Sequence, residues 1–104
     1  MIITTTETIP GKTIKEILGI VDGDIVMSKH IGSDITAGFR NLVGGEVKGY
    51  TDMLDKSRKE ARDRMIKNAE KLGADAVVGV RYSSSAIMAS ASEMLAYGTA
   101  VKLK

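Results

Sequence analysis

The chain has 104 residues, of which 43% are hydrophobic, 27% charged and 4% aromatic; this length predicts one domain over residues 1–104, with a small core that burial between subunits would enlarge. The absence of cysteine excludes disulfides, thiolate metal sites, iron–sulfur clusters and cysteine nucleophiles. A net charge of +2 is too small for the basic surface that nucleic-acid binding requires, so no nucleic-acid partner is expected.

The N-terminal segment, Met1–Glu7, lacks the basic start and long apolar run of a secretory signal. No stretch reaches the roughly 20 apolar residues of a membrane-spanning helix. These features predict a cytoplasmic protein with no membrane association.

A first strand is predicted at Ile14–Val21, which is rich in β-branched and aliphatic residues. Asp22-Gly23 is a strong turn signal, after which Ile25–Met27 resumes as a short extended segment. Pro10-Gly11 marks an earlier turn, and the Thr-rich segment before it is compatible with a short edge strand.

Two helices are predicted next, each ended by glycine. The first has its apolar positions at helical spacing and ends at Gly44-Gly45. Those positions are Ile31, Ile35, Phe39 and Leu42. The second runs from about Tyr50 to Leu72 and ends at Gly73. Its apolar face contains Tyr50, Leu54, Ala61, Met65, Ala69 and Leu72.

The other face of the second helix is charged and is expected to lie in solvent. Four acid-to-base pairs are spaced i,i+4: Asp52/Lys56, Asp55/Lys59, Glu60/Arg64 and Asp63/Lys67. Met53 and Ile66 flank the apolar face, and this position suggests contacts outside the chain's own core. The flanks therefore give a first indication of a subunit interface.

Two C-terminal strands complete the pattern: Ala76–Tyr82 continuing to Met88, and Glu93–Leu103. Their short connection requires an antiparallel hairpin, and Gly79 is expected to allow close approach of a neighbouring element. The fold class is therefore α+β, with two helices on one face of a small antiparallel sheet. The exposed edges of such a sheet favour pairing between subunits.

Five separated motifs carry a resemblance to a known family. They are Thr4-Thr5-Thr6 with Ile9-Pro10-Gly11, Asp34-Ile35, Arg40 to Glu46, Leu72 to Arg81, and Ala96 to Val101. Together they resemble the YbjQ-like family, which is described as heavy-metal-binding. The resemblance implies a dodecin-like β-α-β-β subunit that self-associates as a ring-forming homopentamer.

The residues give this metal description weak support. Heavy-metal sites ordinarily use thiolate, imidazole or clustered carboxylate ligands, and His30 is the only imidazole. His30 and Asp34 would form an i,i+4 pair if the first helix begins early. They are the expected ligands of a divalent metal, and the ordinary surface or capping role of a lone histidine is the alternative.

Four residues are candidates for binding a small ligand: Arg40, Asn41, Glu46 and Arg81. The first three follow an apolar helical face and surround Gly44-Gly45, a position suited to a subunit boundary. Arg81 lies within an apolar strand, where burial would demand a carboxylate or an anion. Its alternatives are an intersubunit ion pair with Glu46, Asp75 or Glu93, or an anionic-ligand site.

These observations predict a non-enzymatic oligomeric binding module that holds a metal ion or small ligand at its subunit interfaces. The alternative is an enzyme whose active site is assembled across the interface from Asp34, Arg40, Glu46 or Arg81. Neither a nucleotide-binding glycine loop nor a serine-hydrolase motif is present in the sequence.

Overall fold

Apolar β-branched segments and one long amphipathic segment form the main elements of the chain. The computed structural model describes residues 1–27, 48–88 and 91–104. The elements in these ranges are β1 (Ile2–Ile3), β2 (Ile14–Met27), α1 (Lys48–Lys71), β3 (Ala76–Met88) and β4 (Ala91–Leu103). The first predicted helix, at Ile31–Leu42, lies outside the described residues.

The four strands form one sheet in the order β1-β3-β4-β2. β4 is antiparallel to both β2 and β3, which confirms the C-terminal hairpin. β1 is parallel to β3, with Ile2 opposite Ala76. The α+β class is confirmed, but the sheet is mixed rather than antiparallel throughout, because the N-terminal edge strand joins β3 in the same direction.

The predicted turn at Asp22-Gly23 is wrong, because β2 continues through both residues. Asp22 lies opposite Tyr97 and Gly23 opposite Ala96 in the β2–β4 pairing. A Cβ atom at Gly23 would lie 2.7 Å from the carbonyl carbon of Arg64 in α1, closer than real Cβ atoms approach other atoms. Gly23 therefore permits close approach of helix and sheet, and does not reverse the chain.

The main core lies between α1 and one face of the sheet, where α1 packs mostly over β2 and β4. Ala61, Met65 and Ala69 are fully buried, as their helical spacing predicts. Leu72, by contrast, is 48% exposed, because it follows the last helical residue. Met53 packs against this same core, so the expectation that it contacts something outside the chain's core is wrong.

A second, smaller core lies on the opposite face of the sheet, which α1 does not cover. It contains Ala76, Val78 and Val101, with Ile9 and Ile14 packed against it. The start of β3 is therefore buried on both faces, as its uninterrupted apolar sequence predicts.

The C-terminus of α1 is closed by Gly73, which has a φ of 77°. Its amide donates to the carbonyl of Glu70, and the amide of Ala74 donates to the carbonyl of Ala69. Glycine adopts this left-handed conformation without the steric cost of a Cβ atom. The predicted helix end is confirmed.

The charged face of α1 forms fewer ion pairs than its sequence offers. Glu60 pairs with Arg64 at 3.4 Å, whereas Asp55 pairs with Arg58 and not with Lys59. These are the two ion pairs within the ranges that the structure describes. Exposed pairs of this kind contribute little to stability, so the face acts mainly as a solvated surface.

Gly79 has a different role from the one expected, since nothing lies within 4 Å of a Cβ atom built on it. Its φ is 63°, and the β3–β4 register shifts between Val78 and Arg81. The residue therefore forms a β-bulge that needs a left-handed conformation. Close packing occurs instead at Gly98, where a Cβ atom would lie 2.8 Å from Val77 Cγ1.

Candidate functional site

Arg81 follows the Gly79 bulge on β3, and its side chain is exposed in the single chain. Its Nη1 donates to the carbonyl of Thr5 at 2.9 Å and to the carbonyl of Val80 at 2.8 Å. Because the guanidinium is exposed, burial does not force it to take a carboxylate partner. Within the chain, Arg81 holds the N-terminal segment against β3.

The N-terminal segment is also bound to β3 through its backbone. The amide of Thr4 donates to the carbonyl of Val77, and the amide of Gly79 donates to the carbonyl of Thr6. The amide of Val80 donates in turn to the carbonyl of Thr4. The bulge therefore positions both the Thr-rich segment and the arginine that contacts it.

Two of the acids that were predicted as ion-pair partners of Arg81 contact other residues within the chain. Asp75 Oδ2 accepts a hydrogen bond from the amide of Leu103 at 2.9 Å. Glu93 lies beside Asp24 instead. These contacts lie within one chain, so the predicted ion pair of Arg81 with an acid of another subunit stays a prediction.

The face of the sheet opposite α1 brings three carboxylates together: Asp22 and Asp24 on β2, and Glu93 on β4. Alternate residues of a strand share a face, and Glu93 lies opposite Val26, two residues beyond Asp24. A side-chain hydrogen bond with Asp24 raises the pKa of Glu93 above the ordinary glutamate value, and partial burial and the negative charges of Asp24 and Asp22 raise it further. The face of the sheet opposite α1, called the outer face from here on, thus carries a cluster of three acidic side chains.

Sequence reasoning missed this acid group because it assigned Asp22 to a turn. Reading Asp22-Gly23-Asp24 as part of a strand would have placed both aspartates on one face, since strand side chains alternate. The missing information was the position of α1, whose backbone lies so close to β2 that only glycine fits between Asp22 and Asp24. A buried serine was missed as well: Ser57 Oγ donates to the carbonyl of Met53 at 2.8 Å.

The other predicted site residues lie outside the described ranges. They are His30 and Asp34, expected to bind a metal, and Arg40, Asn41 and Glu46, expected to bind a small ligand. Among the predicted site residues, the described ranges contain Arg81 alone. That Arg81 lies close to the other predicted site residues stays a prediction.

The described part of the chain does not by itself provide a metal centre. No group of three or more histidine, cysteine, aspartate or glutamate side chains within it is placed to hold a metal ion. The three described ranges also contain no helix long and apolar enough to cross a membrane.

Comparison with known proteins places the chain in a family. A family model described as "Putative heavy-metal-binding" matches residues 1–104. The chain belongs to this YbjQ-like family. The resemblance carried by the five motifs is thereby confirmed.

Relatives of this YbjQ-like chain occur in both bacteria and archaea. A UPF0145 protein of Thermotoga petrophila is 67% identical over 104 residues, covering 100% of this chain and 98% of the relative. A UPF0145 protein of Archaeoglobus fulgidus is 60% identical over 104 residues, covering 100% and 96%. One from Colwellia psychrerythraea is 58% identical over 104 residues, covering 100% and 99%.

A solved structure supports the fold. The crystal structure of a protein with unknown function from Pediococcus pentosaceus, belonging to the DUF74 family, matches with a TM-score of 0.67. It is 22% identical, and the match covers 100% of the YbjQ-like chain and 98% of the other. At this identity the similarity concerns the fold alone.

Proposed function

We propose that this YbjQ-like protein is a non-enzymatic binding module that self-associates through the outer face of its sheet and holds a metal ion or small ligand where subunits meet. The observation that carries the proposal is a set of apolar side chains on β2 that the described residues leave exposed, with Asp22 and Asp24 between two of them on the same face. Ile17, Ile20 and Val26 are 69%, 81% and 53% exposed. Their strand pairing places all three on the face opposite α1.

A surface of this composition is costly to leave in water. Burial of apolar area contributes about 25 cal/mol per Å², and clustered exposed apolar side chains commonly mark interaction surfaces. Tyr97, partly exposed on β4 opposite Asp22, extends the same face. A second copy of the chain is the proposed partner, because a small core gains most from burial between subunits.

The dimensions of the chain also support association. Its Cα radius of gyration is 16.7 Å and its principal extents are 53 × 27 × 16 Å, whereas a compact chain of this length has a radius of gyration of about 13 Å. Residues 81–88 of β3 are all exposed. An elongated subunit with an exposed strand is suited to packing against copies of itself. The number five and the dodecin-like ring are proposed from the family resemblance.

The metal part of the proposal is supported by the family description. The proposed ligands are His30 and Asp34, which lie outside the described residues. The three described acids do not fit a soft heavy metal, because carboxylates favour hard cations. A complete ligand set would combine residues from several subunits or from residues 28–47.

The test of association is mass measurement by light scattering. The wild-type protein should have the mass of about five 11.1 kDa chains at micromolar concentration. Ile20→Glu should lower that mass, because it places a second negative charge beside Asp22 in the proposed interface. Leu72→Glu, which adds the same charge at the end of α1, is the matched control and should keep the wild-type mass. A monomeric wild-type protein would overturn the proposal.

The test of binding is equilibrium dialysis against zinc, copper and nickel. The assembled protein should bind one of these ions at a fixed ratio to subunits, and His30→Ala should abolish that binding without changing the mass. Absence of stoichiometric binding would remove the metal and leave a small ligand, sought by thermal shift with metabolites. A cytoplasmic location is likewise a proposal, which cell fractionation would test.

The enzyme alternative gains no support from the described residues. Of its proposed residues, Arg81 is the one that the structure describes, and its Nη1 donates to two carbonyls of its own chain. The binding module is therefore the function that the geometry favours.

A further inference from the structure

A cleft of about 390 Å³ lies on the helix side of the sheet, remote from the outer face. Its walls come from three parts of the fold: the N-terminal segment with Ile3 and Thr5, α1 with Arg62, and β3 with Val80 and Tyr82. Among the described elements, the cleft arises because α1 lies mainly over β2 and β4 and contacts β3 little. Its volume is in the range of small-molecule sites.

The lining is more apolar than polar and includes one cationic side chain, that of Arg62. Val80 is buried at the base of the cleft, and Ile3 packs against the main core. Tyr82, on the same face of β3 two residues later, is partly exposed at the rim. The cleft therefore offers an apolar and aromatic wall to a ligand that enters from solvent.

Arg62 is half-buried, and none of the described residues accepts a hydrogen bond from it or pairs with it. Its i±3 and i±4 neighbours on the helix are Arg58, Lys59, Met65 and Ile66, so no acid lies one turn away in either direction. A half-buried guanidinium without a carboxylate gains strongly from an oxyanion, which it can bind through two parallel N–H donors.

The walls of the cleft are held in place before any ligand binds. Thr4 exchanges backbone hydrogen bonds with β3, its amide donating to Val77 and its carbonyl accepting from Val80. Arg81 donates to the carbonyl of Thr5 from the other side. A site whose walls are fixed in this way loses less conformational entropy on binding.

We propose that this cleft binds a small organic oxyanion, a carboxylate or phosphate monoester attached to an apolar body, with Arg62 as its anion-binding residue. The oxyanion pairs with the guanidinium, while the apolar body lies against Ile3, Val80 and Tyr82. The residues that line the cleft come from one chain, and the cleft lies on the opposite side of the sheet from Ile17, Ile20 and Val26. The Ile20→Glu variant allows it to be tested whether or not the subunits associate.

The experiment is a titration of the full-length protein followed by amide chemical shifts. Benzoate and phenyl phosphate are the probes, benzamide is the neutral control, and inorganic phosphate is the control without an apolar body. At least one aromatic anion should bind saturably and about tenfold more tightly than both controls. The shifted amides should include Thr5, Val80 and Tyr82. The tighter anion identifies the preferred head group.

Two variants separate the site from general charge effects. Arg62→Gln should weaken binding of the aromatic anion about tenfold, whereas Lys67→Gln, which removes the same charge elsewhere on α1, should leave it unchanged. Unchanged melting temperatures would show that both variants fold. Benzamide binding as tightly as benzoate, full affinity in Arg62→Gln, or shifts confined to another surface would each overturn the proposal.

Discussion

Gly23 of β2 lies directly against the backbone amide of Met65 in α1, so closely that a Cβ atom has no room between them. The contact lies at the centre of the main core, where Met65 is fully buried. Helix and sheet therefore approach each other as backbone against backbone at this point. The position of α1 over β2 depends on the absence of one side chain.

Gly23→Ala should destabilise the protein severely, by about 3 kcal/mol, because backbone atoms of α1 would have to move to admit the methyl group. Gly19→Ala in the same strand is the matched control. Gly19 has a φ of 138° but open space around it, so its variant should lose about 1 kcal/mol through backbone strain alone. Urea unfolding measures both, and equal losses would contradict the packing explanation.

The same glycine shows how far the sequence predicts this fold. Local signals were sufficient for the hairpin of β3 and β4 and for the end of α1 at Gly73, since each depends on neighbours along the chain. Asp22-Gly23 has equally strong turn chemistry, yet the chain continues as a strand because tertiary packing outweighs local preference. Assigning Asp22-Gly23 to a turn prevented the prediction that Asp22 and Asp24 share a face of the sheet. The cleft at Arg62 depends on the position of α1 over the sheet, which no local sequence pattern specifies.

Gly79→Ala should cost about 1 kcal/mol, since alanine resists the left-handed conformation that the bulge requires. The surrounding space is open, so packing adds nothing. Gly79→Asn should recover part of the loss, because asparagine tolerates this conformation better than alanine. Thermal unfolding would measure the series. If the alanine variant proved at least as stable as the asparagine variant, the bulge geometry could not explain the glycine.

Asn68→Ala should lower the free energy of unfolding, because it removes a hydrogen bond between α1 and the backbone of the edge strand β2. Asn68 Nδ2 donates to the backbone carbonyl of Asp22 at 2.7 Å, and Arg64 Nη1 donates to that of Asp24 at 2.8 Å. These side chains occupy acceptors of β2, a strand whose pairing within the described residues is with β4 alone. Each alanine variant should lose about 0.5–1 kcal/mol.

The measurement for these contacts is urea unfolding combined with a double-mutant cycle. The variant Asn68→Ala/Arg64→Ala should lose slightly less than the two single losses together if one contact keeps α1 in place for the other, because each single variant then already weakens both contacts. Lys71→Ala, in the last turn of α1, is the control for removing an exposed polar side chain from the helix. A loss from Asn68→Ala no larger than that of the control would show that the hydrogen bond to Asp22 does not stabilise the edge.

Glu93→Gln should stabilise the protein at neutral pH and have little effect in acid. The hydrogen bond with Asp24, partial burial and the charges of Asp24 and Asp22 raise the pKa of Glu93 in the folded state. The folded state therefore binds a proton more tightly than the unfolded state, and wild-type stability decreases as the pH rises above the ordinary glutamate pKa. Glutamine resembles the protonated acid and does not titrate, so its advantage should grow through that same interval. Melting temperatures from pH 3 to pH 8 would measure it, with Glu7→Gln as the control for loss of a negative charge outside the acid group. A constant difference between Glu93→Gln and wild type across the range would show that the three outer-face acids do not interact in the folded protein.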